Sequence, residues 1–382
     1  MLGGGTGGLN AAAELARLTK GAHRAVLVDR ATTSYECVYN LGVMTGGVGD
    51  ARDVEREISM AAGEDVEFVN AEVTRIDPEG MLVETSRGTL RGERMVVALG
   101  AELAPELVPG FKDAAFDVYE REGAIRLGKA IRDFDGGKIA IVVARTPFKC
   151  PAAPYEAAFL IDWLLRERGT RDSVRLDVYT PEWQPMLAAG DEVGGKLVEI
   201  MDGRKIGYHT EHTVLKVDAG SRRLLFETDE ADYDLLVGVP PHVAPKAVRE
   251  AGLTDSTGWV PVNPLTLETR HPGVFAIGDV ASIRLHNGLF LPMAGVFALQ
   301  EGLVVAANIA AETGVGSPTG YTGEGYCYVE VGYGKAAFGS GNFYASPAPK
   351  VTLQPPSEEH KRAKDEFAAM VLRSAKPPAH GR

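Results

Sequence analysis

Short runs of consecutive apolar residues alternate with stretches whose apolar positions recur every three or four residues. That alternation predicts strands and amphipathic helices in turn, an α/β chain. A glycine-rich turn leads into a helix near 7–19 and the strand AVLVD at 25–29. A second helix is expected over 51–62, followed by VEFV at 66–69. Residues 71–99 read as a meander (AEVTRID, MLVET, GTLRGER) that closes with the buried strand MVVAL, ended by Gly100. A second unit follows: a helix near 120–133, the strand KIAIVV at 138–143, a helix over 153–168 and VRLDVYT at 174–180. Another meander, VLKVD and RLLFET, precedes LLVGV at 235–239. The chain returns through GVFAIGD at 273–279 to a long helix at 295–312, then the hairpin YCYVEVGYGKAAFG and a charged helix around 358–373.

The opening glycines carry chemistry. Gly3, Gly5 and Gly8, with Thr6 among them, match G-x-G-x-x-G, and the helix-forming run NAAAELARL follows. Such a turn lets backbone amides approach a pyrophosphate at the positive end of a helix. Asp29 ends the next strand roughly 20 residues later, where an acid meets ribose hydroxyls. The pair of signals predicts a dinucleotide site, although only Met1 and Leu2 precede Gly3 where a buried strand belongs. The expectation is a start that lacks its first strand, and any signal peptide with it.

The second unit lacks the matching turn. From Ala144 to Arg168 there is no glycine, and ARTPFKCPAAPYEAAFLIDWLLRER occupies the place where nicotinamide phosphates would sit. NAD(P)H binding in the usual manner is therefore not expected. Cys150 stands there instead, between Lys149 and Pro151 and just ahead of a helix start, which favours a thiolate. A buried inert cysteine is the alternative; the prolines and the helix start weigh against it. Glu156, on the first turns of that helix, either relays protons or is a surface acid matched to the helix dipole.

Composition narrows the class. Hydrophobic residues are 45% and charged residues 24% of 382, the balance of a folded protein. A net charge of −12 without a basic run disfavours nucleic acid and anionic membrane surfaces. No apolar run reaches the roughly 18–20 residues of a spanning helix, and three cysteines do not make a disulfide scaffold. His209 and His212 stand three apart with no third ligand, so no metal is expected.

At KCPAAPYEAA the chain resembles the sulfide:quinone oxidoreductases and the flavoprotein subunit of flavocytochrome c sulfide dehydrogenase. GGGTGG, ALGAE, PFKCPAAPYE, GWVPV, FAIGD, LPMAGVFA and GYCYVE all fall in the expected order. The resemblance implies two Rossmann-like dinucleotide-binding domains, the first interrupted by the second. These would be an FAD domain (1–105 and 254–320), a nicotinamide-type domain without its fingerprint (106–253) and a small C-terminal region (321–382). It implies that Gly278 and Asp279 face the ribityl and phosphate part of FAD, and that Met293 and Ala294 lie near the flavin ring. It makes Cys150 and Cys327 a redox pair. Cys37, in SYECVYNLGVMTGG, matches a cysteine joined by a thioether to the flavin in the flavocytochrome c proteins. Met293 departs from the lysine of many relatives, and the last helix lacks an apolar membrane anchor.

The implied chemistry begins with sulfide attacking a disulfide or polysulfide bridge between Cys150 and Cys327. Sulfane sulfur stays on one cysteine, two electrons pass to FAD, and a quinone or c-type cytochrome accepts them. Peripheral membrane contact, a homodimer, and a cytoplasmic or periplasmic location all remain compatible. Two rivals stay open: a type II NADH:quinone dehydrogenase, and a flavin-binding redox partner or sensor without turnover.

Overall fold

The computed structural model describes residues 1–35, 39–47 and 55–373. Its elements, in chain order, begin with α1 (Thr6–Thr19), β1 (Ala25–Asp29), β2 (Val66–Asn70) and β3 (Met95–Val97). The second unit holds α2 (Arg121–Arg132), β4 (Gly137–Val143), α3 (Ala153–Glu167), β5 (Val174–Tyr179), α4 (Asp191–Gly203), β6 (Ile206–His209) and β7 (Leu235–Val239). After these come β8 (Val274–Ala276), α5 (Gly295–Glu312), β9 (Glu324–Gly332), β10 (Lys335–Asn342), β11 (Lys350–Ser357) and α6 (Glu358–Arg373).

Two parallel sheets organise the chain. In the first, β1 pairs with β2 and β3 with β8. The position between β1 and β3 belongs to Leu2, which bridges Val28 on one side and Val97 on the other. Its N–H donates to the Val96 carbonyl (2.8 Å), and its carbonyl accepts from Ala98 (2.7 Å). Two residues thus do the pairing work of a central strand. The second sheet runs from the short strand Phe116–Asp117 through β7, β4 and β5 to β6, all parallel. A three-stranded antiparallel sheet, β9–β10–β11, follows, with α6 against it.

Buried β-strands here are continuous apolar runs, as parallel sheets covered on both faces require: β7 reads LLVGV and is buried throughout. The first sheet is covered by α1, which packs along α5. That approach is close because both helices offer glycine; a Cβ on Gly302 would lie 2.5 Å from the Gly7 carbonyl oxygen. The helix α5 is the one described helix long and apolar enough to cross a membrane, contrary to the sequence expectation. Its buried side chains pack within the core, as in an interior helix of a globular fold.

Several elements differ from expectation. The helix over 51–62 is reduced to Ile58–Ala62 after a short strand, Glu55–Glu57, while 51–54 lie outside the described residues. Helix α4 was not foreseen, because Gly194 and Gly195 lower its propensity. Gly194 is there for space: a Cβ would sit 3.0 Å from Gln184 and the Pro185 carbonyl. The hairpin gains a third strand, β11, whose two prolines hid it.

Candidate active site

A long groove of about 800 Å³ opens at the C-terminal ends of the first sheet. Gly3, Gly5, Asp29, Gly100, Tyr119 and Lys149 are among its walls. Gly3 has φ +106°, and a Cβ there would lie 2.1 Å from the Ala98 carbonyl oxygen. A Cβ on Gly8 would lie 2.0 Å from the Gly3 carbonyl oxygen, so this glycine serves the turn-to-helix packing. Nothing lies within 4 Å of a Cβ on Gly5, which faces open space. No acidic side chain occupies the first turn of α1, and no side chain caps it, leaving its positive end to a ligand. Asp29 accepts the Gly4 N–H (2.6 Å) and the Ala31 N–H (2.7 Å), which fixes its carboxylate beside the turn.

Gly278, just after β8, donates its N–H to Glu301 of α5 (2.6 Å). Burial pushes the Glu301 carboxyl up to about 7, against the pull of that amide. Asp279 is likewise raised by burial, opposed by the charge of Lys149. Lys149, expected from the sequence as the ammonium beside Cys150, lines the groove, with its ammonium 5.6 Å from the centre of the Tyr119 ring.

A second, largely apolar cavity of about 330 Å³ lies where three segments meet. The cysteine loop contributes Phe148 and Pro151, the segment before α5 contributes Met293 and Ala294, and β9 contributes Cys327. Cys150 is tied to this cavity through its backbone: its N–H donates to the Met293 carbonyl (2.7 Å), and its carbonyl accepts the Ala153 N–H (2.8 Å) at the start of α3. It holds a left-handed conformation, φ +52°. Burial pushes the Cys327 thiol up to about 12, with Glu156 adding to the shift and Lys364 opposing it.

Glu156 is neither a surface acid nor an open relay. It is buried, accepts the Glu330 N–H (3.0 Å), and pairs with Lys364 of α6. Lys364 also reaches Glu330 (3.1 Å). A helix expected to be mostly solvated charge therefore buries one lysine beneath the site. Burial raises the Glu156 carboxyl, and Lys364 opposes the rise.

A residue missed in the sequence completes the cavity wall. Glu182, after β5, lines it and is 5% exposed. Tyr155 of α3 donates its hydroxyl to Glu182 Oε2 at 2.6 Å. Only its position beyond a strand end in the second unit could have flagged it. His209 and His212 are occupied elsewhere, against Asp177 (3.0 Å) and Asp229 (3.1 Å). Among the described residues, no cluster of three potential metal ligands occurs. Cys37 lies outside the described residues.

The family model for pyridine nucleotide-disulphide oxidoreductase matches residues 1–302. The chain belongs to this family. It is thus an oxidoreductase and a flavoprotein, and membership implies FAD. This oxidoreductase is 26% identical over 353 residues to the mitochondrial sulfide:quinone oxidoreductase of Dictyostelium discoideum, covering 88% of this chain and 75% of that one. It is 27% identical over 332 residues to the type II NADH:quinone oxidoreductase of Staphylococcus haemolyticus, covering 81% of each. Its fold matches the sulfide:quinone oxidoreductase structure from Aquifex aeolicus at a TM-score of 0.85, with 20% identity, over 96% of this chain and 89% of that one.

The groove fits the implied cofactor. The open face of Gly5, the uncapped start of α1 and the fixed Asp29 are the residues that could hold a pyrophosphate and a ribose. Gly278, Met293 and Ala294 line a small recess beside Glu301, and Met293 and Ala294 also line the apolar cavity.

Proposed function

We propose that this oxidoreductase oxidises sulfide to sulfane sulfur through Cys150 and Cys327, passing electrons to a quinone or a c-type cytochrome. The observation that carries this reading is the meeting of the Cys150 loop with Cys327 at one apolar cavity. FAD would lie in the groove, its phosphates toward Gly3, Gly5, Thr6 and Gly8, its ribose toward Asp29, and Gly100 in the wall. Gly278 and Asp279 would lie toward its ribityl and phosphate part, and Met293 and Ala294 toward the ring. Bound there, the flavin accepts two electrons and hands them on. The protein's own groups orient the sulfurs: the Met293 carbonyl holds the Cys150 loop, and burial keeps the reduced Cys327 sulfur protonated until it reacts. Lys149 supplies a positive charge in the groove where Met293 cannot. Cys37 is proposed as a thioether link to the flavin; denaturation followed by ultrafiltration tests it, since flavin passing wholly into the filtrate rejects the bond.

The similarity to an NADH:quinone oxidoreductase keeps a dehydrogenase in play. Against it, the turn after β4 contains no glycine and carries Pro147 and Pro151, with Pro154 in the first turn of α3. Mixing oxidised protein anaerobically with sulfide, and separately with NADH, separates the two. Bleaching by sulfide that is lost in Cys150→Ser supports sulfide oxidation. Bleaching by NADH alone supports the dehydrogenase, and bleaching by neither supports a sensor.

A further inference from the structure

Among the described residues, Glu182 is the one carboxylate in the wall of the cavity that Cys327 lines; the other walls are mainly Phe148, Met186, Phe290, Leu291, Met293 and Phe297. A charged anion entering such a place loses water without compensation, whereas a neutral molecule does not. Hydrogen sulfide therefore enters most readily in its neutral form, but the nucleophile that attacks a sulfur–sulfur bond is the anion. A base inside the cavity resolves that conflict. We propose that Glu182 is the catalytic base that deprotonates hydrogen sulfide within the cavity, tuned by Tyr155; this rests on the sulfide-oxidising reading above.

The geometry suits the task. Glu182 Oε2 accepts from the Tyr155 hydroxyl (2.6 Å) and from Thr180 Oγ1 (3.3 Å), so the carboxylate is anchored while its residue lines the cavity. The ionisable groups around it are few. Tyr155 faces it from α3, Tyr208 interacts from β6, and Cys327 and Tyr326 share the cavity from β9. The segment 289–294 brings none. Among the described residues no cation offsets its charge, and burial pushes the carboxyl up to about 7, the range where a general base is effective near neutral pH.

The step balances. Neutral hydrogen sulfide and the Glu182 carboxylate give HS⁻ and the carboxylic acid. HS⁻ then bonds to one cysteine sulfur of the Cys150–Cys327 bridge as the bridge bond breaks. The departing sulfur takes the proton back from the Glu182 carboxyl. One persulfide and one thiol result, with no net oxidation. Two electrons and two protons leave when these re-close on the inserted sulfur, and the bound flavin accepts the electrons.

The test is anaerobic stopped-flow reduction of the flavin at saturating sulfide, across pH 5.5–9, with wild type, Glu182→Gln and Tyr155→Phe. The expected wild-type limiting rate falls on the acid side with a midpoint near 7. Glu182→Gln abolishes that limb and lowers the rate by about 10²–10⁴-fold. Tyr155→Phe removes a donor to the carboxylate and moves the limb to higher pH, a readout that a merely structural role would not shift. A Glu182→Gln profile like wild type, or an unmoved limb in Tyr155→Phe, overturns the assignment while leaving sulfide oxidation standing. Wild-type flavin that sulfide does not bleach at any pH overturns both.

Discussion

The amide of Cys150 donates to the carbonyl of Met293 at 2.7 Å, joining the cysteine loop to the segment that precedes α5. Because both partners are backbone, the bond survives a change of either side chain. What the cysteine side chain does cost is conformation. At φ +52° a residue with a Cβ is strained and glycine is not. Cys150→Gly should be about 1 kcal/mol more stable than Cys150→Ala, measured by denaturant unfolding; equal stabilities would mean the loop relaxes.

The glycines of the first turn should separate by function. Gly8→Ala drives a Cβ against the Gly3 carbonyl and should cost about 1–3 kcal/mol, with loss of bound flavin. Gly5→Ala meets no protein atom, so the variant should keep its thermal stability without flavin yet retain flavin more weakly. Absorbance of the purified proteins and their melting curves after flavin removal check both.

Cys327 should be a slow thiol. With its ionisation pushed up to about 12, the thiolate fraction of the reduced protein at pH 8 is roughly a thousandfold below that of an ordinary cysteine. Iodoacetamide labelling followed by peptide mass analysis should show Cys327 modified last, with a rate still climbing tenfold per pH unit at pH 10. A plateau below pH 9 would contradict the burial argument.

Lys364 holds two carboxylates, Glu156 and Glu330, in a buried cluster. Lys364→Met leaves Glu156 buried with no cation and should destabilise by about 3–5 kcal/mol. Adding Glu156→Gln should recover much of the loss, because the uncompensated charge goes with it. Urea unfolding of the two variants gives the comparison.

The stability of Glu182→Gln has a definite pH signature. The folded carboxyl, pushed up to about 7, lies above its ordinary value of 4.5. Its contribution is therefore fully present below about pH 4.5 and is lost as pH rises through 7. Wild type should match or exceed the glutamine variant in acid and fall behind it by up to about 3 kcal/mol above pH 7. A difference independent of pH would show that the carboxyl titrates in its ordinary range.

Local pattern was enough for much of the architecture. The apolar runs at 25–29, 138–143, 174–180 and 235–239 and the helices at 153–168 and 295–312 all appear where periodicity put them, because burial on both faces leaves little freedom of composition. The opening glycine turn was legible for a related reason: its tight geometry, with Gly8 against the Gly3 carbonyl, is set by residues close together in the chain.

What the sequence by itself determined, then, was the α/β alternation, the opening phosphate-type turn and the absence of a second one. Only tertiary structure brought Cys327 into the cavity beside the Cys150 loop, buried Lys364 against Glu156 and set Glu182 into an apolar wall. The physical reason is desolvation. Whether a carboxyl, an ammonium or a thiol holds its charge depends on which distant residues exclude water from it, and neighbours along the chain do not say.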